Sequence, residues 1–198
     1  LSLFCVEENL PGFTKGPALS KIGQHCQDTC ELYFDDVRLP ADCLLGQENA
    51  AFEYMTQELA RERLAIALRA GASLEGMLEE TAEYTRNRKV FGRRVFDYQN
   101  SRFKLAGARA QSTMLRVFLD DCLARHMAGE LDPTTAAIAK LNATEMQGAV
   151  LDDLLQLYGG YGYMAEYGIG RAWVDARALR IFGGTSEIMR EIIGRSFI

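Results

Sequence analysis

At Ala51 the sequence changes period. Upstream, Leu1, Leu3 and Cys5 alternate with Ser2 and Phe4, the two-residue repeat of a strand. Downstream, apolar residues recur every three or four positions to about residue 87 with no proline, which predicts one long helix over 51–87. A second helix is expected from about 98 to 127, with Phe103, Ala106, Ala110, Met114, Val117 and Leu119 apolar and Gly129 suited to end it. Asp132-Pro133-Thr134 reads as a helix start, Asp as N-cap and Pro at the first helical position. That third helix continues through Ile138, Leu141, Met146, Val150 and Leu154 to about 157, where Gly159-Gly160-Tyr161-Gly162 stops it. A short helix near 169–178 follows, and the last opens after Gly183-Gly184 with Thr185 as N-cap. The expected fold is mainly α: three long antiparallel helices and a fourth forming a four-helix bundle with interior room for a site.

Residues 1–50 read as β and loop. Pro11-Gly12 and Lys15-Gly16-Pro17 are turn signals, and Thr29 to Phe34 is a second strand candidate. Two or three strands do not make a stable sheet alone, so this segment needs partner strands from elsewhere. The chain is therefore read as part of a longer protein with two domains: 1–50, the end of a β-domain, and 51–198, a helical bundle. Leu1-Ser2-Leu3-Phe4 lacks the basic leader of a secretory signal. No apolar run reaches the ~20 residues of a membrane span. A net charge of −5 argues against non-specific nucleic-acid binding. Five cysteines, an odd number, suggest reduced thiols, and His25 with Cys26 and Cys30 is a poor zinc signature, so no metal is expected.

Three stretches carry possible chemistry. Glu62 falls on the stripe Met55, Leu59, Ile66, Ala70, Ser73 and Met77, three after Leu59 and four before Ile66. A carboxylate facing the packed side is held back from ionising, as a general base often requires. Arg61 and Arg63 flank it, so a surface Glu in a charge run is the alternative. Gly183-Gly184-Thr185-Ser186-Glu187 sets free N–H groups at a helix N-terminus, fit for a phosphate or an oxyanion, or simply a capped loop. Gln156-Leu157-Tyr158-Gly159-Gly160 is a glycine-permitted helix end that a planar ligand can approach, or a plain helix stop. Arg88, Lys89, Arg93 and Arg94 form a basic loop centred on Gly92, either phosphate-binding or solvated.

Taken in order, Glu62-Arg63-Leu64, Arg88-Lys89-Val90-Phe91-Gly92 with Gln99, Gln156 to Gly160, and Ile181-Phe182-Gly183-Gly184-Thr185-Ser186-Glu187-Ile188 resemble the C-terminal half of acyl-CoA dehydrogenases. Thr29 to Pro40 is similar to the end of that family's middle β-domain, a β-barrel. The resemblance implies FAD-dependent α,β-dehydrogenation of an acyl-CoA thioester. A carboxylate takes the α-proton, hydride goes to the flavin, and electrons leave to an electron-transferring flavoprotein. Most members carry the base in the loop where this chain has Gly183. Long-chain and isovaleryl-type members carry it on the long helix in a Glu-Arg-Leu context, which Glu62-Arg63-Leu64 matches.

The same resemblance assigns Glu62 as catalytic base, with Arg61, Arg63, Gly183, Gly184 and, more weakly, Tyr54 bordering the acyl-CoA. Arg88, Phe91 and Gln99 would touch FAD across a subunit interface in a homodimer or homotetramer. Gln156, Leu157, Tyr158, Gly159 and Gly160 would lie along its adenosine or pyrophosphate, and Thr185, Ser186 and Glu187 would complete that site. The family's flavin-ring contacts and much of its CoA contacts come from segments outside this sequence. An acyl-CoA oxidase is a close alternative; a nucleic-acid-binding or stress-response relative that keeps the bundle is another, against which the acidic balance and Glu62 argue. The expected compartment is cytoplasm, or mitochondrial matrix in a eukaryote.

Overall fold

The computed structural model describes residues 1–198, and the fold is mainly α. The chain divides into two compact units, Leu1–Leu59 and Ala60–Ile198. In the first, β1 (Leu3–Phe4) pairs antiparallel with β4 (Leu44–Leu45), and β2 (Phe13–Lys15) with β3 (Leu32–Phe34). Phe13 stacks on Phe34 across the second ribbon at 4.9 Å. Both are two-stranded, and Leu32, Tyr33 and Phe34 are all exposed. The start of the first long helix, α1 (Ala51–Asn87), is tied to the segment before β1 by the Ala51 amide donating to the Leu1 carbonyl.

The second unit holds the rest of α1, then α2 (Gln99–Ala128), α3 (Pro133–Tyr158), α4 (Gly168–Leu179) and α5 (Ser186–Arg195). The boundaries follow local chemistry. Asp132 caps α3 by accepting from the amides of Thr134 and Thr135 at 2.9 Å, and Gly129 ends α2 at φ 75°. The stretch read as a basic loop is a hairpin. β5 (Lys89–Val90) and β6 (Arg93–Arg94) pair around Phe91-Gly92, both at positive φ, as a two-residue hairpin turn requires.

α3 is the central helix and packs on α2, α4 and α5. Leu74, Leu78, Leu105, Leu151 and Leu154 fill one end of the core; Leu64, Ala67, Leu119, Ala143 and Leu179 fill the other. α1 and α2 are also laced by Arg116, whose guanidinium donates to both oxygens of Glu75 at 2.8 and 2.6 Å. Trp173 on α4 donates its indole N–H to Asp152 on α3. No helix is long and apolar enough to cross a membrane.

The buried faces differ from those the apolar pattern indicates. On α1 the inward residues are Arg63, Leu64, Ala67, Ala70, Leu74, Leu78, Thr81 and Thr85. Glu62 is exposed, so the expectation that it faces the packed side is corrected. The cause is that polar residues take core positions: Thr81 and Thr85 return their hydroxyl protons to the carbonyls of Met77 and Ala82. On α2, Phe103, Met114 and Val117 are 64%, 64% and 67% exposed, while Leu105, Ala108, Leu115 and Leu119 are buried.

Candidate functional site

Two clusters in the second unit gather the residues of interest. The first lies where α4 gives way to α5. Gly183 and Gly184 have φ of 67° and 99°, conformations that side chains resist, and the amides of Gly183, Gly184 and Thr185 make no hydrogen bond within the chain. Beyond them the Thr185 hydroxyl caps α5 through the Ile188 amide. A Cβ at Gly183 would lie 2.4 Å from Ile66 Cδ1, so the α1 residue one turn after Glu62 already fills the space beside this glycine. No room is left there for a carboxylate arriving from α1, and Glu62 lies on the adjoining turn, exposed.

Polar groups from α3 hold the loop from behind. Lys140 has no exposed surface, and its ammonium donates to the Gly184 carbonyl. Burial lowers its pKa, the nearby Arg63 lowers it further, and Glu145 works the other way. Glu145 accepts from Arg180 at 3.2 Å and from the Ser186 hydroxyl at 2.5 Å. Gly148, one turn along α3, leaves the space that the Arg180 guanidinium occupies. Arg63 is buried, its Nε has no partner, and burial lowers its pKa against the opposing pull of Glu62. It remains a cation at any working pH.

The Ser186 hydroxyl is thus engaged by Glu145. Glu187 is exposed, and its carboxylate is held below the usual range by its own amide and the Thr185 hydroxyl. Arg61 is exposed on α1. Tyr54 belongs to the first unit, where its hydroxyl accepts from the Gln47 amide and its ring lies against Gly46.

The second cluster is a cavity of about 620 Å³ lined by Arg88, Phe91 and all of Gln156 to Gly160. Its floor is aromatic: Tyr84 stacks on Tyr158 at 4.0 Å, and Tyr167 meets both rings edge-on. Burial raises the Tyr158 phenol to about 12. The Arg88 guanidinium sits 4.6 Å over the Tyr161 ring. A Cβ at Gly159 or Gly160 would meet nothing within 4 Å, so the backbone there is open to close approach. Gln99, the first residue of α2, is exposed and does not line this cavity. The two clusters are anchored 16 residues apart on α3, at Lys140 and Gln156, which is ~24 Å along a helix.

Tyr161, Ile66, Lys140, Glu145 and Arg180 were not among the candidate site residues read from sequence. Lys140 carried a signal: it is a lone charge in the small apolar run Ala136-Ala137-Ile138-Ala139, followed by Leu141.

Residues 49–198 match the family model described as acyl-CoA dehydrogenase, C-terminal domain. The chain belongs to the acyl-CoA dehydrogenase family. It is 49% identical over all 198 residues to the mitochondrial long-chain specific acyl-CoA dehydrogenase of Sus scrofa, covering 46% of that protein. An acyl-CoA dehydrogenase structure from Geobacillus kaustophilus matches with a TM-score of 0.96 and 42% identity over 99% of this chain and 52% of that one. A structure described as the electron transferring flavoprotein of Acidaminococcus fermentans matches at 0.94 and 30% identity, covering 100% of this chain and 52% of that one. The chain thus spans about half the length of these acyl-CoA dehydrogenase relatives. Members of the family bind FAD. The cavity fits part of that group: an aromatic floor suits a planar base, Arg88 suits a pyrophosphate, and Gly159-Gly160 admits close contact.

Proposed function

We propose that this chain is the C-terminal half of an FAD-dependent acyl-CoA dehydrogenase in which Glu62 removes the substrate α-proton. Residues 1–50 are the end of a middle β-domain, and 51–198 are the helical-bundle domain. The observation that carries the assignment is the Ile66 contact with Gly183. It sets the α1 face bearing Glu62 beside the loop whose free amides can receive a thioester oxygen. Glu187, the exposed carboxylate at that loop, is stabilised as its anion, which makes it a weaker base.

Glu62 accepts the α-proton, Arg61 and Arg63 border the acyl-CoA, and the Gly183 and Gly184 backbone orients the thioester. Bound FAD supplies the hydride acceptor. Arg88, Phe91 and the Gln156 to Gly160 turn hold the adenosine and pyrophosphate of a neighbouring subunit's FAD, with Gln99 at the same interface and Thr185, Ser186 and Glu187 completing the chain's own site. The ~24 Å between the two clusters supports this division between subunits. The exposed apolar residues Phe103, Met114 and Val117 on α2 support a homodimer or homotetramer. The likeness to the flavoprotein structure supports an electron-transferring flavoprotein as acceptor. The identity to the porcine enzyme supports a long acyl chain and, in a eukaryote, the mitochondrial matrix.

The test is Glu62→Gln in the full-length enzyme, mixed anaerobically with acyl-CoA while flavin absorbance is followed. Bleaching should slow by ~10²–10⁴-fold with FAD still bound. Bleaching at the wild-type rate would remove Glu62 from the role.

A further inference from the structure

Lys140 is the one lysine buried without exposed surface, on the central helix, and its ammonium closes on a backbone carbonyl rather than a carboxylate. The acceptor, Gly184, lies between two peptides with unpartnered amides, in a loop of consecutive positive-φ glycines. Glycines alone leave such a loop many conformations. Because a trans peptide is planar, drawing the Gly184 carbonyl toward α3 turns the Thr185 N–H the opposite way, out of the bundle. Behind the loop, Arg63, Lys140 and Arg180 supply three cations, while Glu145 is bonded to Arg180 and Ser186. The orphaned Nε of Arg63 leaves part of that positive field unanswered.

We propose that Lys140 is a positioning residue for deprotonation: by clamping the Gly184 carbonyl it fixes the amides of the Gly183–Thr185 turn toward the thioester and lends its charge to the enolate that forms there. This rests on the acyl-CoA dehydrogenase reading above. In the step concerned, the α-C–H bond breaks, the proton goes to the Glu62 carboxylate, and the electron pair spreads onto the thioester oxygen. No oxidant is needed to that point.

The step can be isolated with 3,3-dimethylbutanoyl-CoA, which has α-hydrogens and none on the β-carbon. Full-length enzyme in D₂O should exchange its α-hydrogens, read by mass spectrometry. Lys140→Met, which keeps length and removes donor and charge, should slow exchange at saturation by about 10- to 100-fold with little change in half-saturating concentration. Lys140→Gln, which keeps a donor without the charge, should fall between. Wild-type exchange in Lys140→Met, or a loss confined to half-saturation, would overturn the inference.

Absence of exchange in the wild type would instead overturn the parent reading, and the inference with it. A measurement without variants guards against misfolding: acetic anhydride should label exposed Lys89 far faster than Lys140 in the native enzyme, and equal labelling would show the clamp does not form.

Discussion

Replacing Gly183 by alanine tests the geometry on which the base assignment depends. The new Cβ meets two separate penalties. Gly183 has φ 67°, and holding a residue with a Cβ in that left-handed region costs about 1–2 kcal/mol. The Cβ would also lie 2.4 Å from Ile66 Cδ1, and overpacking of this kind costs about 1–3 kcal/mol. Gly183→Ala should therefore lose ~2–5 kcal/mol. Ile66→Val deletes the offending Cδ1 and alone should cost about 0.5–1.5 kcal/mol. Together the two changes should lose less than their sum by ~1–2 kcal/mol, because the valine removes the clash and leaves the backbone penalty. Urea unfolding followed by the fluorescence of Trp173, the only tryptophan of the chain, measures each corner of the cycle. Losses that add to within ~0.5 kcal/mol would refute the contact, and a neutral Gly183→Ala would refute the backbone penalty as well. The same logic governs moving the base: Glu62→Gly with Gly183→Glu should recover measurable acyl-CoA turnover only when Ile66→Val is added.

Three further outcomes are expected. Arg88→Ala should weaken FAD retention in the full-length enzyme, Arg88→Lys should restore it only in part for want of a bidentate donor, and unchanged FAD affinity in Arg88→Ala would remove Arg88 from the site. Gly148→Ala sets a Cβ 2.1 Å from the Arg180 guanidinium, so a cost of about 1–3 kcal/mol should outweigh the ~1 kcal/mol gain in helix propensity. Gly76→Ala, with nothing within 4 Å, should keep that gain, and thermal midpoints moving in opposite directions check the pair. Glu75 and Asp132 are held below their ordinary 4.5 and 3.8, chiefly by the Arg116 bond and the Thr135 hydroxyl, so the fold favours their anions. Their contribution is full above those ordinary values and lost as pH falls through the lowered ones; a urea midpoint unchanged between about pH 5 and pH 2 would refute it.

What could be read from the sequence was whatever local chemistry decides. Asp132-Pro133 and Gly129 fixed helix ends because capping involves residues a few positions apart. The change of period at Ala51 marked the start of α1 for the same reason. The buried faces were less legible. A stripe judged by apolar identity passes over Arg63, Thr81, Thr85 and Lys140, which are buried because they find partners or carry their charge inward. It also counts Phe103, Met114 and Val117, which point outward. The Arg88 and Gln156 motifs were visible separately. Their meeting in one cavity depends on the Phe91-Gly92 hairpin and the Tyr84–Tyr158 stack, which join residues 74 positions apart.

α3 also acts as a ruler. Lys140, Glu145 and Gly148 meet the Gly183 loop, Asp152 meets Trp173, and Gln156 opens onto the aromatic cavity, all from one uninterrupted rod. On a helix each added residue turns everything beyond it by ~100° and advances it by ~1.5 Å. One amino acid inserted near Gly148 would leave both ends chemically intact yet out of phase: with Lys140 facing its loop, Gln156 would swing a quarter-turn off the cavity. Substitutions along this rod trade individual contacts, whereas its length is counted in whole residues and admits no partial change. The turn at Gly129, outside that count, is where the bundle can absorb extra chain.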